Sequence, residues 1–289
     1  MIPIEGKTVL ITGASSGIGR AAAAQLKEQG ANVVLIGRNP ERTKAAAEEL
    51  GAPFFLADFS TLSEVRALAE QLREACPRID VLLNNAGGFF RKQREITVDG
   101  CERTFQVCYL SAFLLTGLLL DRLAECRAII VNTSSVAAQI MSSLDVDDLN
   151  LAKHYDPYRA YGNAKLEMTL FAKEFQRRYG HTGMAMASFH PGVVTTNFTS
   201  ESDGLIRGLY KTALRAEHLR KLAGMITPEE GADTAVWLAS TQPGVDWQPG
   251  NYYVKRRIAK THRLADDRFV AGSLWIQSEK LIGFTYPKL

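Results

Sequence analysis

Short apolar runs alternate with longer segments of helical composition along most of the chain. The runs fall at residues 8–11, 32–37, 53–57, 79–83, 127–132 and 184–189, with 251–255 as a candidate seventh. Most are continuously apolar, the pattern of strands buried on both faces. Helices are expected at 20–29, 40–50, from 60 or 61 onward, and at 97–120, 158–178 and 227–238. Pro40 stands near the first turn of the second helix, and Gly51 ends it. Ser60 or Thr61 is placed to cap the third, with Glu64 completing a capping box. Thr227-Pro228-Glu229-Glu230 opens the last. Strands alternating with helices predict a doubly wound parallel α/β sheet with helices on both faces. No linker, repeat or low-complexity tract divides it, so 1–289 reads as one domain.

Residues 197–224 interrupt this alternation after the sixth strand. They mix Phe198, Leu205, Ile206, Leu209, Tyr210 and Leu214 with polar residues, and read as a helical lid over a substrate pocket. Residues 255–289 form a C-terminal extension.

Composition narrows the function. With 289 residues and 46% apolar side chains, the chain can bury one substantial core. A net charge of +3 gives no reason to expect a nucleic-acid partner. The longest apolar stretch, 109–120, is too short to span a bilayer, and the opening residues fit no signal peptide. Cys76, Cys101, Cys108 and Cys126 form no Cys-x-x-Cys pair and no zinc spacing, so no metal is expected. A reducing cytoplasm is the expected compartment. The five histidines are scattered and read as structural or solvated. The basic patch Lys255-Arg256-Arg257 with Lys260 and Arg263 reads as solvated surface.

Ligands of doubly wound folds sit at the carboxyl ends of the strands. At the first such end stands Thr12-Gly13-Ala14-Ser15-Ser16-Gly17-Ile18-Gly19. Gly supplies backbone angles closed to other residues, and the following helix offers free N–H groups to a phosphate. Tyr161 and Lys165 are four apart on an expected helix and share one face. A neighbouring ammonium and a cationic cofactor ring favour a phenolate, which suits Tyr161 to proton transfer. Ser135, at the end of the fifth strand, could donate to the same oxygen; Ser134 is the alternative, expected to face the other way.

The glycine turn, Asn84-Asn85-Ala86-Gly87, Ser135, Tyr161-Gly162-Asn163-Ala164-Lys165 and Pro191-Gly192 resemble the short-chain dehydrogenase/reductase family, in family order. Asn132 to Ala137, Ala164-Lys165-Leu166 with Leu170-Phe171, and His190 to Thr196 resemble its retinol-dehydrogenase-like branch, as do 227–232 and the tail 274–283. The resemblance implies a Rossmann-type fold and an oxidoreductase acting on a carbonyl/alcohol carbon. Tyr161 would be the general acid/base. Lys165 would bind the nicotinamide ribose and lower the Tyr161 pKa, and Ser135 would orient the carbonyl. Gly13, Ser15, Ser16, Gly17, Ile18 and Gly19 would hold the dinucleotide phosphates. Asn85, Ala86 and Gly87 would line the adenosine side, and Val194 and Thr196, after Pro191-Gly192, would contact the carboxamide and phosphate. The family also implies a homodimer or homotetramer, with 109–120 and 166–175 as candidate interface elements. One departure stands out. Cys108 replaces the Asn that helps hold a relay water in the family, within Val107-Cys108-Tyr109-Leu110-Ser111.

NAD enzymes of this type place a carboxylate after the second strand. Gly37-Arg38 stands there instead, and Arg38 can pair with a 2′-phosphate, so NADP is expected. Asp58 is expected to accept from adenine N6. The substrate is expected to be a lipophilic carbonyl or alcohol. Two other readings remain. Glu174 to Tyr179 resembles a stretch of protochlorophyllide reductases, which reduce a ring double bond. Cys108 motivates a catalytically weak, nucleotide-sensing binding protein.

Overall fold

The computed structural model describes residues 4–90, 93–194 and 225–289. Thr196 and the expected lid at 197–224 lie outside these described residues. The strands are β1 (Thr8–Thr12), β2 (Asn32–Gly37), β3 (Phe54–Leu56), β4 (Val81–Asn84), β5 (Ile129–Thr133), β6 (Ala185–His190), β7 (Val193–Val194), β8 (Met225–Ile226), β9 (Tyr252–Val254) and β10 (Arg257–Ile258). Eight of them form one sheet in the order β10-β9-β6-β5-β4-β1-β2-β3. Every pairing in it is parallel except the β9–β10 hairpin. The expected extension therefore begins inside the sheet, since β10 is its edge strand. The short pair β7–β8 stands apart.

Successive side chains of a strand face opposite sides. Leu10 of β1 enters one core and Val9 and Ile11 enter the other. Helices α1 (Gly17–Glu28), α2 (Pro40–Leu50) and α9 (Pro228–Ser240) cover the Val9 side. Their contact faces are rich in alanine, including Ala21 to Ala23, Ala46, Ala47, Ala232 and Ala235. Asn39 caps α2 by accepting from Arg42 N, and Gly51 closes it at φ +54°. Thr227 opens α9 as expected, and its side chain and that of Glu230 form a capping box.

The Leu10 side carries α3 (Leu62–Ala75), α4 (Arg103–Phe105), a π-helical segment (Gln106–Leu110), α5 (Ser111–Leu118), α6 (Leu120–Glu125), α7 (Ala137–Ile140), α8 (Pro157–Tyr179) and α10 (Arg268–Ile282). Two expectations fail here. The long helix begins at Arg103, not at 97. Ile96 and Glu102 bridge across a turn with Gly100 at φ +77°, and the Glu102 carboxylate caps Phe105 N at 2.7 Å. The capping box at α3 does not form. Glu64 instead accepts from Asp58 N (2.7 Å), and Asp99 accepts from Leu62 N (2.9 Å).

The candidate interface helices are also corrected. Trp275 of α10 lies 4.9 Å from the Phe113 ring and 5.9 Å from Phe171. Tyr286 lies 4.7 Å from Phe113 and donates to its carbonyl oxygen. Gly117 is a glycine by necessity, because a Cβ would come within 2.7 Å of Phe284 and Tyr286. The apolar faces of α5 and α8 are thus covered by the chain's own C-terminal segment. Trp275→Ala should cost about 3–5 kcal/mol of stability, the range for emptying a large buried aromatic site. Equilibrium urea unfolding measures it, and a loss below about 1 kcal/mol would mean that α10 is not integral to the core.

Candidate active site

A cleft of about 500 Å³ opens at the carboxyl ends of β1, β2, β4, β5 and β6. It lies where the strand order reverses between β1 and β4, the place where such sheets bind ligands. The glycine turn forms one end. Gly13 and Gly17 have φ of +67° and +57°. A Cβ on Gly13 would lie 2.9 Å from Ala86 Cα, and one on Gly19 would lie 2.5 Å from the Gly13 carbonyl oxygen. These two glycines serve close packing within the turn. Ser16 precedes α1 and makes no side-chain capping bond, which leaves the first-turn amides of α1 to a ligand.

The turn is tied to β4 by Thr12. Its Oγ1 accepts from Asn85 N and Ala86 N, both at 2.9 Å, and donates to Leu83 O at 3.3 Å. The Asn85 amide nitrogen donates to Thr12 O (3.0 Å) and Gly13 O (3.4 Å), while its oxygen accepts from Thr133 Oγ1 (3.3 Å). Asn85 thus joins the ends of β1, β4 and β5. Ser15, Ile18, Arg38, Asp58, Ala86 and Gly87 all border the cleft. Asp58 Oδ1 also accepts from the amide and hydroxyl of Ser60, each at 2.8 Å.

Ser135, Tyr161 and Lys165 meet at the other end. Tyr161 and Lys165 are 8% and 3% exposed. The Lys165 ammonium donates to Thr133 O at 2.9 Å and lies 5.7 Å from the Tyr161 ring centre. Burial pulls the Lys165 pKa down. Ser135 Oγ accepts from Ala137 N at 3.2 Å, leaving its proton to donate. Ser134 points away and donates to Lys165 O at 2.7 Å. Gly162 lets the loop after α7 approach α8, since a Cβ would lie 2.6 Å from the Met141 carbonyl carbon. Pro191 and Val194 border the cleft after β6, and Val194 packs on Gly231 of α9.

Cys108 sits in the π-helical segment behind this end. Its thiol donates to Gly88 O at 3.4 Å and is fully enclosed. Burial raises its pKa, so it stays a thiol. A Cβ on Gly87 would lie 3.2 Å from Cys108 Sγ and 3.4 Å from Lys165 Nζ, so these three residues crowd one spot.

Sequence reasoning missed several residues in and behind the cleft. Thr12, buried behind it, carried a signal, a hydroxyl at the last strand position before the glycine turn. Arg42 borders the cleft one helical turn beyond Arg38. Phe89 lies tilted 5.2 Å from the Tyr158 ring and edge-on 5.8 Å from Tyr161, giving that end of the cleft an aromatic wall. His190, read from the sequence as structural or solvated, ends β6 and borders the same cleft. Glu174 to Tyr179 does not border the cleft. There Glu174 is buried against Arg177 and Arg178, at 2.5 and 2.6 Å, and Tyr179 donates to Pro287 O.

The short chain dehydrogenase family model matches residues 7–204. A Streptomyces protein described as the daunorubicin C-13 ketoreductase DnrU is 39% identical over 289 residues, covering 98% of this chain and 94% of the relative. Human retinol dehydrogenase 13 is 33% identical over 297 residues, covering 99% and 87%. Among solved structures, an uncharacterised Mycobacterium paratuberculosis protein superposes with a TM-score of 0.76 at 29% identity, covering 98% and 96% of the two chains. Pseudomonas aeruginosa RhlG, solved as an NADP active-site complex, gives 0.67 at 25% identity, covering 87% and 96%.

Thr12→Val keeps the side-chain shape and strands two amides. It should lower stability by about 1–3 kcal/mol, the cost of unsatisfied buried donors. Urea unfolding with unchanged midpoint and slope would show that solvent replaces the hydroxyl.

Proposed function

Because the chain belongs to the short-chain dehydrogenase/reductase family, it is a hydride-transfer oxidoreductase that uses a nicotinamide cofactor, and we propose that it is NADP-dependent and acts on a lipophilic carbonyl or alcohol. The observation that carries this reading is one cleft with Ser135, Tyr161 and Lys165 at one end and the glycine turn beside Arg38 at the other. The residues fit a dinucleotide. Gly13 and Gly17 hold a positive-φ cradle, and the uncapped amides of α1 would receive its phosphates. Arg38 and Arg42 border the same cleft and would hold a 2′-phosphate, which a carboxylate there would repel.

A bound nicotinamide supplies the hydride in reduction. Tyr161 gives its phenolic proton to the substrate oxygen. Lys165, with its ammonium on the same end of the cleft, favours the negative charge left on the phenol. Ser135 donates to the same oxygen as charge develops there. The aromatic wall of Phe89 and Tyr158 supports a flat, apolar substrate. Similarity to a daunorubicin ketoreductase supports a ketone. The stretch that suggested a ring double-bond reductase is engaged in packing the end of α8, which removes the support for that reading. Four free cysteines suit the reducing cytoplasm that this reading supposes.

Purified protein should oxidise NADPH in the presence of aromatic ketones. Tyr161→Phe should cut turnover at least about hundredfold, the usual worth of a general acid, while NADPH still binds. Activity within a few-fold of the parent would overturn the assignment. Tight NADPH binding with no turnover of any carbonyl or alcohol would favour the nucleotide-sensing reading.

Arg38→Ala should weaken NADPH by roughly one to two decades, since a charge-assisted hydrogen bond contributes about 1.5–3 kcal/mol. NADH should change little. Dissociation constants at fixed salt decide, and an Arg38→Ala variant that keeps its NADPH preference would refute the role. An acid at Gly37 would displace the Thr43 side chain, because a Cβ there would lie 2.2 Å from Thr43 Oγ1. The switch toward NADH belongs at Arg38→Asp.

A further inference from the structure

The β5–β6 ladder does not end where the backbone pairing ends. Ser134 N donates to Phe189 O at 2.8 Å, the last main-chain bond of the series. The next amide on that side, Val136 N, donates to His190 Nδ1 at 3.2 Å. The imidazole takes the place of a carbonyl at the strand end. It thereby holds the turn that carries Ser135, whose oxygen accepts from Ala137 N.

This contact fixes the state of the ring. A nitrogen that accepts from an amide carries no proton, so the proton of a neutral imidazole sits on Nε2. Burial agrees, because it lowers the His190 pKa to about 4 and keeps the ring neutral in working conditions. Among the described residues, no hydrogen bond engages Nε2. The ring borders the cleft beside Ser135 and Val136 and is only partly buried. A neutral donor of fixed direction therefore stands next to the group that receives the substrate oxygen.

We propose that His190 is a specificity residue, whose Nε2–H recognises a second oxygen beside the reacting carbonyl, as in an α-hydroxy ketone. This rests on the carbonyl reading above. The aromatic wall takes the flat apolar part, Ser135 and Tyr161 take the carbonyl oxygen, and His190 takes its neighbour. A site with a fixed buried donor disfavours a substrate lacking the matching acceptor, because the donor is left unpaired.

Two ketones test it, 2-acetylnaphthalene and 2-(hydroxyacetyl)naphthalene, with NADPH. The parent should favour the hydroxy ketone in kcat/KM by about tenfold, the scale of one neutral hydrogen bond. His190→Asn keeps an acceptor near Nδ1 and cannot reach the Nε2 position, so the ratio should fall to near one, chiefly through KM. His190→Gln restores a donor near Nε2 and loses the bond to Val136. It should keep the preference while kcat falls for both ketones. No preference in the parent, or a preference that survives in His190→Asn, overturns the proposal. A separate readout needs no turnover. Nitrogen-15 NMR of histidine-labelled protein at pH 7, assigned with His190→Asn, should show the proton on Nε2. A proton on Nδ1 overturns the proposal even if ketones are reduced. A parent that reduces neither ketone counts against the carbonyl reading, while the NMR result still judges the donor.

Discussion

A single threonine hydroxyl closes the floor of the cleft. Thr12 Oγ1 gathers two amides from the loop after β4 and returns its own proton to that strand. The sheet is most open at this place, because the chain leaves β1 and β4 toward opposite faces. Strand ends diverge there, and their last amides have no ladder partner. Asn85 completes the closure by reaching both the glycine turn and Thr133. Thr133 in turn presents its carbonyl to Lys165. The two halves of the site are therefore mechanically one unit. The glycine turn and Lys165 share one hydrogen-bonded chain.

Much of this was readable from local pattern. Continuous apolar runs locate the strands because both faces of a central parallel strand are buried, and the structure keeps all of them, including the exposed edge strand β3. Tyr161 and Lys165 share a face because a helix turns in 3.6 residues. Ser134 and Ser135 part because a strand alternates. The failures have a common cause. Residues 97–102 look helical, yet Gly100 and the Ile96–Glu102 bridge bend them, and that bridge needs a partner no periodicity reveals. Glu64 could reach its own cap or Asp58 N, and only the fold chooses. His190 looked idle because its partner, Val136, becomes its neighbour only when β5 and β6 pair.

The π-helical segment at Gln106–Leu110 shows how a substitution is absorbed. Widened helix turns are common at functional sites. Here the widened turn carries Cys108, whose thiol contacts the Gly88 backbone as both donor and acceptor. Sulfur is a weak partner for either role. The buried thiol lies against Gly87, close to where the Lys165 ammonium donates to Thr133 O.

The C-terminal helix sets an order of events during synthesis. Phe113 and Phe171 are made well before the rings that cover them, Trp275 and Tyr286. Until then the α5 and α8 faces stay open to water and to other chains. The sheet and its glycine turn can assemble as they emerge, but the apolar flank cannot be sealed before residues 275–286 are made. A nascent chain of this protein thus carries an exposed aromatic flank until residues 275–286 emerge, a transiently open apolar surface of the kind that chaperones shield.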